Sequence, residues 1–129
     1  MLNLNPNEFE PIYIQIKNQI INMIADGDLK EGEALPSVRV LASYLDVNMH
    51  TVNKSYSILK KDGFIKIEPG KGAFVNLNLN KSNNEFKESL KSFINSLGAE
   101  CFIRGISKDE LINIVNEEFP LYPLKNKES

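Results

Sequence analysis

The sequence LDVNMHTVNKSY, residues 45–56, contains a short turn between two segments that each have the spacing of an amphipathic helix. The turn is Asp46-Val47-Asn48. Apolar residues recur at intervals of three and four on both sides of it, at Val38, Leu41, Ala42 and Leu45 and again at Val52, Tyr56 and Leu59. Two helices joined by so short a turn are typical of a helix-turn-helix, whose second helix enters the DNA major groove by its N-terminal end. The stretch therefore predicts a DNA-binding fold.

The second of these helices begins with polar residues that suit DNA contact. Asn48 is a good N-cap, and the helix is expected to extend from there to about Lys61. Because its apolar positions hold it on the core, residues 48–54 are expected to project outward. Asn can read adenine, Thr and His can donate to bases or phosphates, and Lys54 supplies charge. The positive end of the helix dipole also attracts phosphate.

A β-hairpin is predicted directly after this helix. Asp62-Gly63 ends the helix, and strand-forming residues in FIKIEPGKGAFVN, residues 64–76, flank the turn sequence Pro69-Gly70-Lys71-Gly72. A helix-turn-helix followed by a basic hairpin is a winged helix. Lys71 at the tip of the hairpin would then reach phosphates or the minor groove.

Two helices are predicted upstream. Pro11 fits the first turn of a helix over residues 11–26, which Asp26-Gly27-Asp28 closes, and Ser37 caps a second helix that runs to about Leu45. The loop between them places Leu29 and Leu35 in the core. The expected fold is mainly α with a small β-hairpin, and residues 1–76 form its winged helix-turn-helix DNA-binding domain.

Residues 77–129 are predicted to form a linker and a two-helix tail. The polar stretch 76–84 lacks core periodicity and predicts a flexible linker that acts as a hinge. Helix signals then define one long and one short helix, the long one reaching about Arg104. These signals are the capping boxes Ser82–Glu85 and Ser107–Glu110, the stop at Gly105, and inward-facing Leu111, Ile112 and Val115. Pro120 and Pro123 end the ordered part, and residues 125–129 are expected to be a tail.

The long helix carries an apolar stripe that predicts a homodimer. Two helices cannot bury this stripe between them, and a partner subunit offers the missing surface. The predicted dimerisation residues are Phe86, Leu90, Phe93, Ile94, Leu97 and Cys101. The tail is too small to enclose a ligand pocket of about 300 Å³, so any effector site is expected to lie at the dimer interface or between tail and winged helix. Its candidate lining is Phe93, Phe102, Phe119 and Tyr122, although core or dimer contacts are the commoner role of such aromatic residues.

Charge is distributed unevenly along the chain. The formal net charge is −2, yet residues 35–75 carry six basic and three acidic side chains, whereas residues 1–34 carry two basic and six acidic ones. A local basic field can bind polyphosphate on an acidic protein, because nearby charges dominate the local potential. The alternative is a solvated surface of mixed charge.

The sequence indicates no enzyme active site, cofactor site or metal site. The only histidine, His50, lacks a nucleophile and an orienting carboxylate in the sequence, and it cannot form a metal site with the single cysteine, Cys101. Cys101 is expected to be a small apolar residue on the buried face of its helix, with redox sensing as the other interpretation. The sequence PGKGA lacks the spacing of a phosphate-binding loop. One cysteine and the lack of a signal peptide or long apolar run favour a cytoplasmic protein.

Several motifs together resemble the DNA-binding domain of the GntR family of bacterial transcription regulators. They are Pro11-Ile12-Tyr13 with Gln15-Ile16, then LPSVRVLA, VNMHTVNKSY and GKGAFV, and the resemblance covers residues 9–76 in order and spacing. The short tail is similar to that of the YtrA subfamily. The resemblance implies a dimerisation role for the tail and control of a transporter operon.

The resemblance also implies individual DNA contacts. Arg39 and Gly70, with Lys71 beside it, stand at contact positions of the family, whereas Met49 and Asn53 stand where many members carry arginine. The full predicted DNA-binding set is Ser37, Arg39, Asn48, Met49, His50, Thr51, Asn53, Lys54, Gly70, Lys71 and Gly72. The expected function is a repressor that binds a palindromic operator in double-stranded DNA as a homodimer. The alternative is a winged helix that contacts protein or RNA.

Overall fold

The computed structural model describes residues 2–5 and 9–122, and it divides after Leu79 into two compact units. The first unit contains three helices and two strands, in the order α1 (Ile12–Asp26), α2 (Val38–Leu45), α3 (Met49–Lys61), β1 (Ile65–Glu68) and β2 (Gly72–Val75). The second contains α4 (Asn80–Arg104) and α5 (Lys108–Glu118). The predicted fold class, a winged helix-turn-helix followed by helices, is confirmed.

Local side-chain chemistry sets the boundaries of the first three helices. Pro11 occupies the N-cap of α1 rather than its first turn, and Gly27 ends that helix with a φ of 84°. The Ser37 hydroxyl accepts a hydrogen bond from the Val40 N–H at 3.1 Å and so caps α2. Asn48 caps α3, because its side-chain oxygen accepts from the His50 N–H at 2.7 Å.

The hairpin packs against the helices as an antiparallel pair. Ile65 pairs with Val75 and Glu68 with Gly72, which leaves residues 69–71 for the turn. The loop before α2 extends this sheet, since the Leu35 N–H donates to the Ala73 carbonyl at 2.8 Å. Such additional pairing supports a short hairpin that would not be stable alone.

A single apolar core holds the winged-helix unit together. Its least exposed side chains come from α1, α3 and β2, and they are Ile16, Ile20, Val52, Leu59 and Val75. Each lies at a position that the helical or strand periodicity places inward. The predicted burial of Leu35 is confirmed, since 6% of it is exposed.

An N-terminal segment that the sequence did not single out runs alongside α1. The Gln15 side chain accepts from the Asn5 N–H at 2.8 Å and donates to the Asn5 carbonyl at 3.0 Å, and Gln19 pairs in the same way with Asn3. Leu2 enters the core beside them and is 7% exposed. Two glutamine amides therefore pair with this segment much as a neighbouring strand would.

The predicted linker over residues 76–84 is wrong in its extent, because only residues 76–79 lie outside helix and strand. That these residues act as a flexible hinge stays a prediction. Asn76 donates to the Phe64 carbonyl at 3.0 Å and Asn78 to the Gly63 carbonyl at 2.8 Å, so these residues belong to the winged-helix unit. Residues 80–84 are already helical, which places Ser82 inside α4 rather than at its N-cap. Since no Gly or Pro interrupts residues 80–84, the helix that the apolar repeat predicts continues backward through them.

The second unit confirms the long helix and its stop. α4 passes through Gly98 and ends at Gly105, whose φ is 77°, and the Ser107 hydroxyl caps α5 by accepting from the Glu110 N–H at 3.1 Å. Cys101 is buried, as predicted.

The predicted burial of apolar residues in α5 is wrong for this single chain. Ile112 and Val115 are 45% and 48% exposed, because α4 alone offers too little surface to cover them. The predicted end of order at Pro123 and the predicted tail over residues 125–129 lie outside the described residues.

Candidate nucleic-acid interface

The helix α3 separates its core residues from its polar residues by face. Val52, Ser55, Tyr56 and Leu59 are buried, whereas His50, Asn53 and Lys54 are exposed. Met49 is 41% exposed and Thr51 is half-buried. The first turns of α3 therefore present a polar surface with one positive charge beside a free helix N-terminus, which favours contact with an anionic partner.

Two hydrogen bonds fix the position of α3 relative to the rest of the unit. The buried Ser55 hydroxyl donates to the Tyr13 carbonyl of α1 at 2.7 Å. The Tyr56 hydroxyl donates to the Pro36 carbonyl, directly before α2, also at 2.7 Å. Burial raises the pKa of Tyr56 well above its usual range, so this phenol keeps its proton as the donor.

Three of the predicted contact residues line one cleft. Ser37 at the start of α2, Asn53 on α3 and Gly72 at the start of β2 all border a cavity of about 160 Å³, together with Tyr56 and Ile67. The cleft is formed where the two helices of the helix-turn-helix meet the hairpin. Residues far apart in the sequence are thereby placed on one surface.

Of the remaining predicted residues Thr51 is half-buried and the others are exposed, with Gly70 and Lys71 at the tip of the hairpin. Arg39 is exposed in the first turn of α2. Gly70 adopts a φ of 77° at the hairpin turn, a conformation that glycine tolerates and that few other residues do. Lys71 beside it is exposed, and its backbone N–H donates to the Glu68 carbonyl at 2.9 Å, which closes the turn.

Basic side chains are concentrated on the surface of this unit. Six of them are exposed between α2 and the hairpin, and they are Arg39, Lys54, Lys60, Lys61, Lys66 and Lys71. The ion pairs found in the described residues, Lys91–Glu88 and Arg104–Glu100, both belong to α4. Residues 35–75, with six basic and three acidic side chains, therefore have a net charge of +3, and charges within about 8 Å dominate the potential near this surface.

Sequence reasoning missed Tyr13 as a neighbour of the polar face. The Lys54 ammonium lies 4.0 Å from the centroid of the Tyr13 ring, a cation–π contact between α3 and α1. The family motif contains Tyr13, but nothing in the sequence indicates that its ring reaches Lys54. A contact between two helices depends on how they pack, and periodicity alone does not supply that.

A larger apolar cavity in the winged-helix unit was also not predicted. It has a volume of about 510 Å³ and is bordered by the N-terminal segment, α1 and α2, with Leu2, Met23, Leu35, Val40 and Tyr44 among its lining residues. The sequence reasoning considered ligand sites only at interfaces of the tail. The N-terminal segment that carries Leu2 borders this cavity, and no periodic pattern in the sequence predicts where that segment lies.

The tail unit exposes the apolar stripe that the sequence predicted as a dimer contact. Phe86 is 66% exposed and Phe93 is 62% exposed, and Leu90 and Ile94 are also exposed. Leu97 is half-buried, and Cys101 is buried. The aromatic residues named as effector lining are exposed as well, with Phe102 and Phe119 at 84% and 71%. A monomer rarely leaves so many large apolar side chains in water.

The described residues hold no metal-binding constellation. Within residues 2–5 and 9–122, no group of three or more His, Cys, Asp and Glu side chains is close enough to hold an ion. None of the helices in this part of the chain is long and apolar enough to cross a membrane.

Comparison with known proteins identifies bacterial transcription regulators as relatives. The family model described as bacterial regulatory proteins, gntR family, matches residues 12–75. The chain is 30% identical over 118 residues to the HTH-type transcriptional repressor YtrA of Bacillus subtilis, and the alignment covers 91% of each protein. These relatives act in transcription rather than as enzymes, in agreement with the prediction.

Two solved structures extend this comparison to the fold. The crystal structure of a transcriptional antiterminator from Listeria monocytogenes EGD-e has a TM-score of 0.81 and 29% identity, and the match covers 93% of this chain and 90% of that one. The DNA-binding domain of AraR, crystallised in complex with operator ORX1, has a TM-score of 0.52 and 28% identity, with 57% of this chain and 92% of that one covered.

Proposed function

Because the chain belongs to the GntR family of bacterial regulatory proteins, we propose that it is a transcription regulator that binds duplex DNA through its winged helix and acts as a repressor. The observation that carries this proposal is the common surface formed by α2, α3 and the hairpin. Ser37, Asn53 and Gly72 line one cleft on it, and α2, α3 and the hairpin each carry exposed basic side chains. This arrangement combines groups that read bases with groups that bind phosphate.

Each part of the surface has a distinct proposed role. The N-terminal turns of α3, with Asn48, Met49, His50 and Thr51, enter the major groove. Asn53 reads a base edge, and its amide suits adenine. Arg39 contacts a base edge or a phosphate through its fixed fork of donors. Lys54 and the hairpin tip at Gly70, Lys71 and Gly72 contact the backbone.

We propose that the protein acts as a homodimer through residues 77–129, while residues 1–76 bind DNA. The support is the exposed stripe of α4, where Phe86, Phe93 and Ile94 lie in water in the single chain. A two-fold dimer presents two recognition helices, which suits a palindromic operator with half-sites about one helical turn or a multiple apart. Any small-molecule effector would bind at the same interface, against Phe93, Phe102, Phe119 and Tyr122.

The proposed cellular setting follows from the relatives. The likeness to the repressor YtrA extends along nearly the whole chain, tail included. We therefore propose that this protein works in the cytoplasm and represses a transporter operon, as the short-tailed subfamily implies.

The decisive experiment is selection of bound fragments from a random duplex pool by the full chain, followed by titration of the enriched fragment. We expect enrichment of a palindrome and binding that weakens steeply with salt, because phosphate contacts release counterions. Scrambled duplex and RNA of the same sequence serve as competitors. Equal competition by RNA, or no enrichment of any sequence, would refute operator recognition and favour the alternative, a winged helix that contacts RNA or protein.

A pair of charge-matched variants assigns the binding to the proposed surface. Lys71→Ala removes one positive charge from the hairpin tip, and Lys87→Ala removes one from the exposed surface of α4. Only the first is expected to weaken DNA binding. Equal weakening by both would indicate that net charge, and not the winged helix, determines affinity.

A further inference from the structure

Tyr13 contacts two consecutive residues of the recognition helix α3. Its ring lies under the Lys54 ammonium, 4.0 Å from the nitrogen to the ring centroid, and its backbone carbonyl accepts the Ser55 hydroxyl at 2.7 Å. Ser55 is fully buried, whereas Lys54 is exposed. Tyr13 therefore makes one buried contact with α3, through Ser55, and one contact at the surface, with the charged side chain of Lys54.

An aromatic ring restrains the Lys54 ammonium differently from a carboxylate. A carboxylate that restrained Lys54 would also cancel its positive charge and would repel phosphate. The negative face of an aromatic ring attracts the ammonium while the side chain keeps its full charge. The flexible four-carbon stem of lysine is thereby restricted before any anion arrives, so less conformational freedom is lost on binding.

The backbone of Tyr13 is held in place at the start of α1. Tyr13 lies in the first turn of α1, whose N-terminal end is fixed because the Pro11 carbonyl accepts from the Ile14 and Gln15 N–H groups at 3.1 Å. The Ser55 hydrogen bond fixes the same turn to α3. The position of the Tyr13 backbone relative to α3 is therefore set by hydrogen bonds that do not involve Lys54.

We propose that Tyr13 is a positioning residue for DNA binding, whose ring holds the charged Lys54 side chain in place on the polar side of α3 for contact with a backbone phosphate. This inference rests on the proposed function, since it assigns to Tyr13 a role in the same interface. Its specific content is that the ring, and not the phenol hydroxyl, acts, and that it acts only through Lys54.

Three variants of the full chain separate the contributions of the Tyr13 ring, the Tyr13 hydroxyl and the Lys54 charge. Tyr13→Phe keeps the ring, Tyr13→Leu removes it, and Lys54→Met removes the charge but keeps an unbranched stem. Each is titrated with a fluorescein-labelled duplex of mixed sequence at several salt concentrations, and the double variant Tyr13→Leu/Lys54→Met completes the cycle. Urea unfolding of every variant checks that the fold is retained.

We expect Tyr13→Phe to bind like the parent and Tyr13→Leu to bind about two- to five-fold more weakly. Lys54→Met should reduce the slope of log affinity against log salt concentration by about one unit, the value for one phosphate contact. The double variant should bind no more weakly than Lys54→Met alone. If the loss from Tyr13→Leu were the same with and without Lys54, or if Tyr13→Phe lost as much as Tyr13→Leu, the inference would be overturned.

A measurement without DNA distinguishes failure of this inference from failure of the proposed function. Proton NMR of the free protein should show the Lys54 side-chain methylenes shifted upfield by the ring current in the parent and in Tyr13→Phe, but not in Tyr13→Leu. Absence of that shift in the parent overturns the positioning role even if DNA binds. A parent that shows the shift but does not bind the duplex overturns DNA binding, and the role of Tyr13 in it.

Discussion

Removal of the Tyr56 hydroxyl tests how the recognition helix is joined to the segment before α2. Tyr56 is 2% exposed, and its hydroxyl donates to the Pro36 carbonyl at 2.7 Å. Tyr56→Phe keeps the ring in the core and removes only this hydrogen bond. We expect the free energy of unfolding near neutral pH to fall by about 1 kcal/mol, the usual net contribution of such a bond.

The alkaline range gives this prediction a second and more specific signature. Burial raises the folded-state pKa of Tyr56 above the unfolded value of about 10, so both states keep the proton below that pH. Above about pH 10 only the unfolded phenol ionises, and the parent loses about 1.4 kcal/mol of stability per pH unit from this group. The Phe variant lacks the group, so the two stabilities should become equal between about pH 10 and 11.

The assay is urea unfolding followed by circular dichroism, at one protein concentration, from pH 8 to pH 11. Tyr44→Phe is the matched control, because Tyr44 is 60% exposed and its loss should leave the parent's alkaline profile in place. A gap between parent and Tyr56→Phe that stays constant from pH 8 to pH 11 would refute the argument. It would mean that the buried phenol does not resist ionisation in the folded protein.

Three further outcomes are expected. Arg39→Ala should weaken binding to the selected duplex by about 1–3 kcal/mol and reduce its preference over scrambled duplex, and equal losses on both sequences would leave Arg39 only a phosphate contact. Lys71→Ala should weaken all sequences alike and lower the salt slope by about one unit, so an unchanged slope in the same titrations would remove the hairpin from the interface. Phe93→Asp should shift the chain toward monomer in sedimentation at micromolar concentration, whereas Asn95→Asp on the same helix should not, and identical sedimentation of both with the parent would contradict the dimer surface.

The features that the sequence predicted well are those with local causes. The caps at Ser37, Asn48 and Ser107 each join a side chain to a backbone N–H two or three residues away, so the residue type indicates the structure directly. The same is true of Gly63, whose φ of 90° directly after α3 is one that glycine adopts readily. Such residues restrict the local backbone conformation before any tertiary contact forms.

The features that the sequence did not predict depend on how elements pack. The contact of Lys54 with Tyr13 and the hydrogen bond of Tyr56 with Pro36 each join separate segments, and no spacing rule specifies either pair. The predicted extent of the linker, residues 76–84, was wrong for a related reason. Its polar composition did not indicate that Asn76 and Asn78 donate to the Phe64 and Gly63 carbonyls, or that residues 80–84 belong to α4.

The arrangement of α3 allows its exposed side chains to change with little loss of stability. The side chains that hold the helix, Val52, Tyr56 and Leu59, lie on its buried face, and their energetic contribution comes from apolar area removed from water. Asn53 is exposed, and Met49 lies at the edge of the buried stripe and is 41% exposed. Exchange of exposed residues costs little in folding free energy, so the exposed face can change its hydrogen-bonding groups while the core is kept. In the proposed interface these two positions carry a thioether and an amide, so we expect apolar contact and a preference for adenine over guanine.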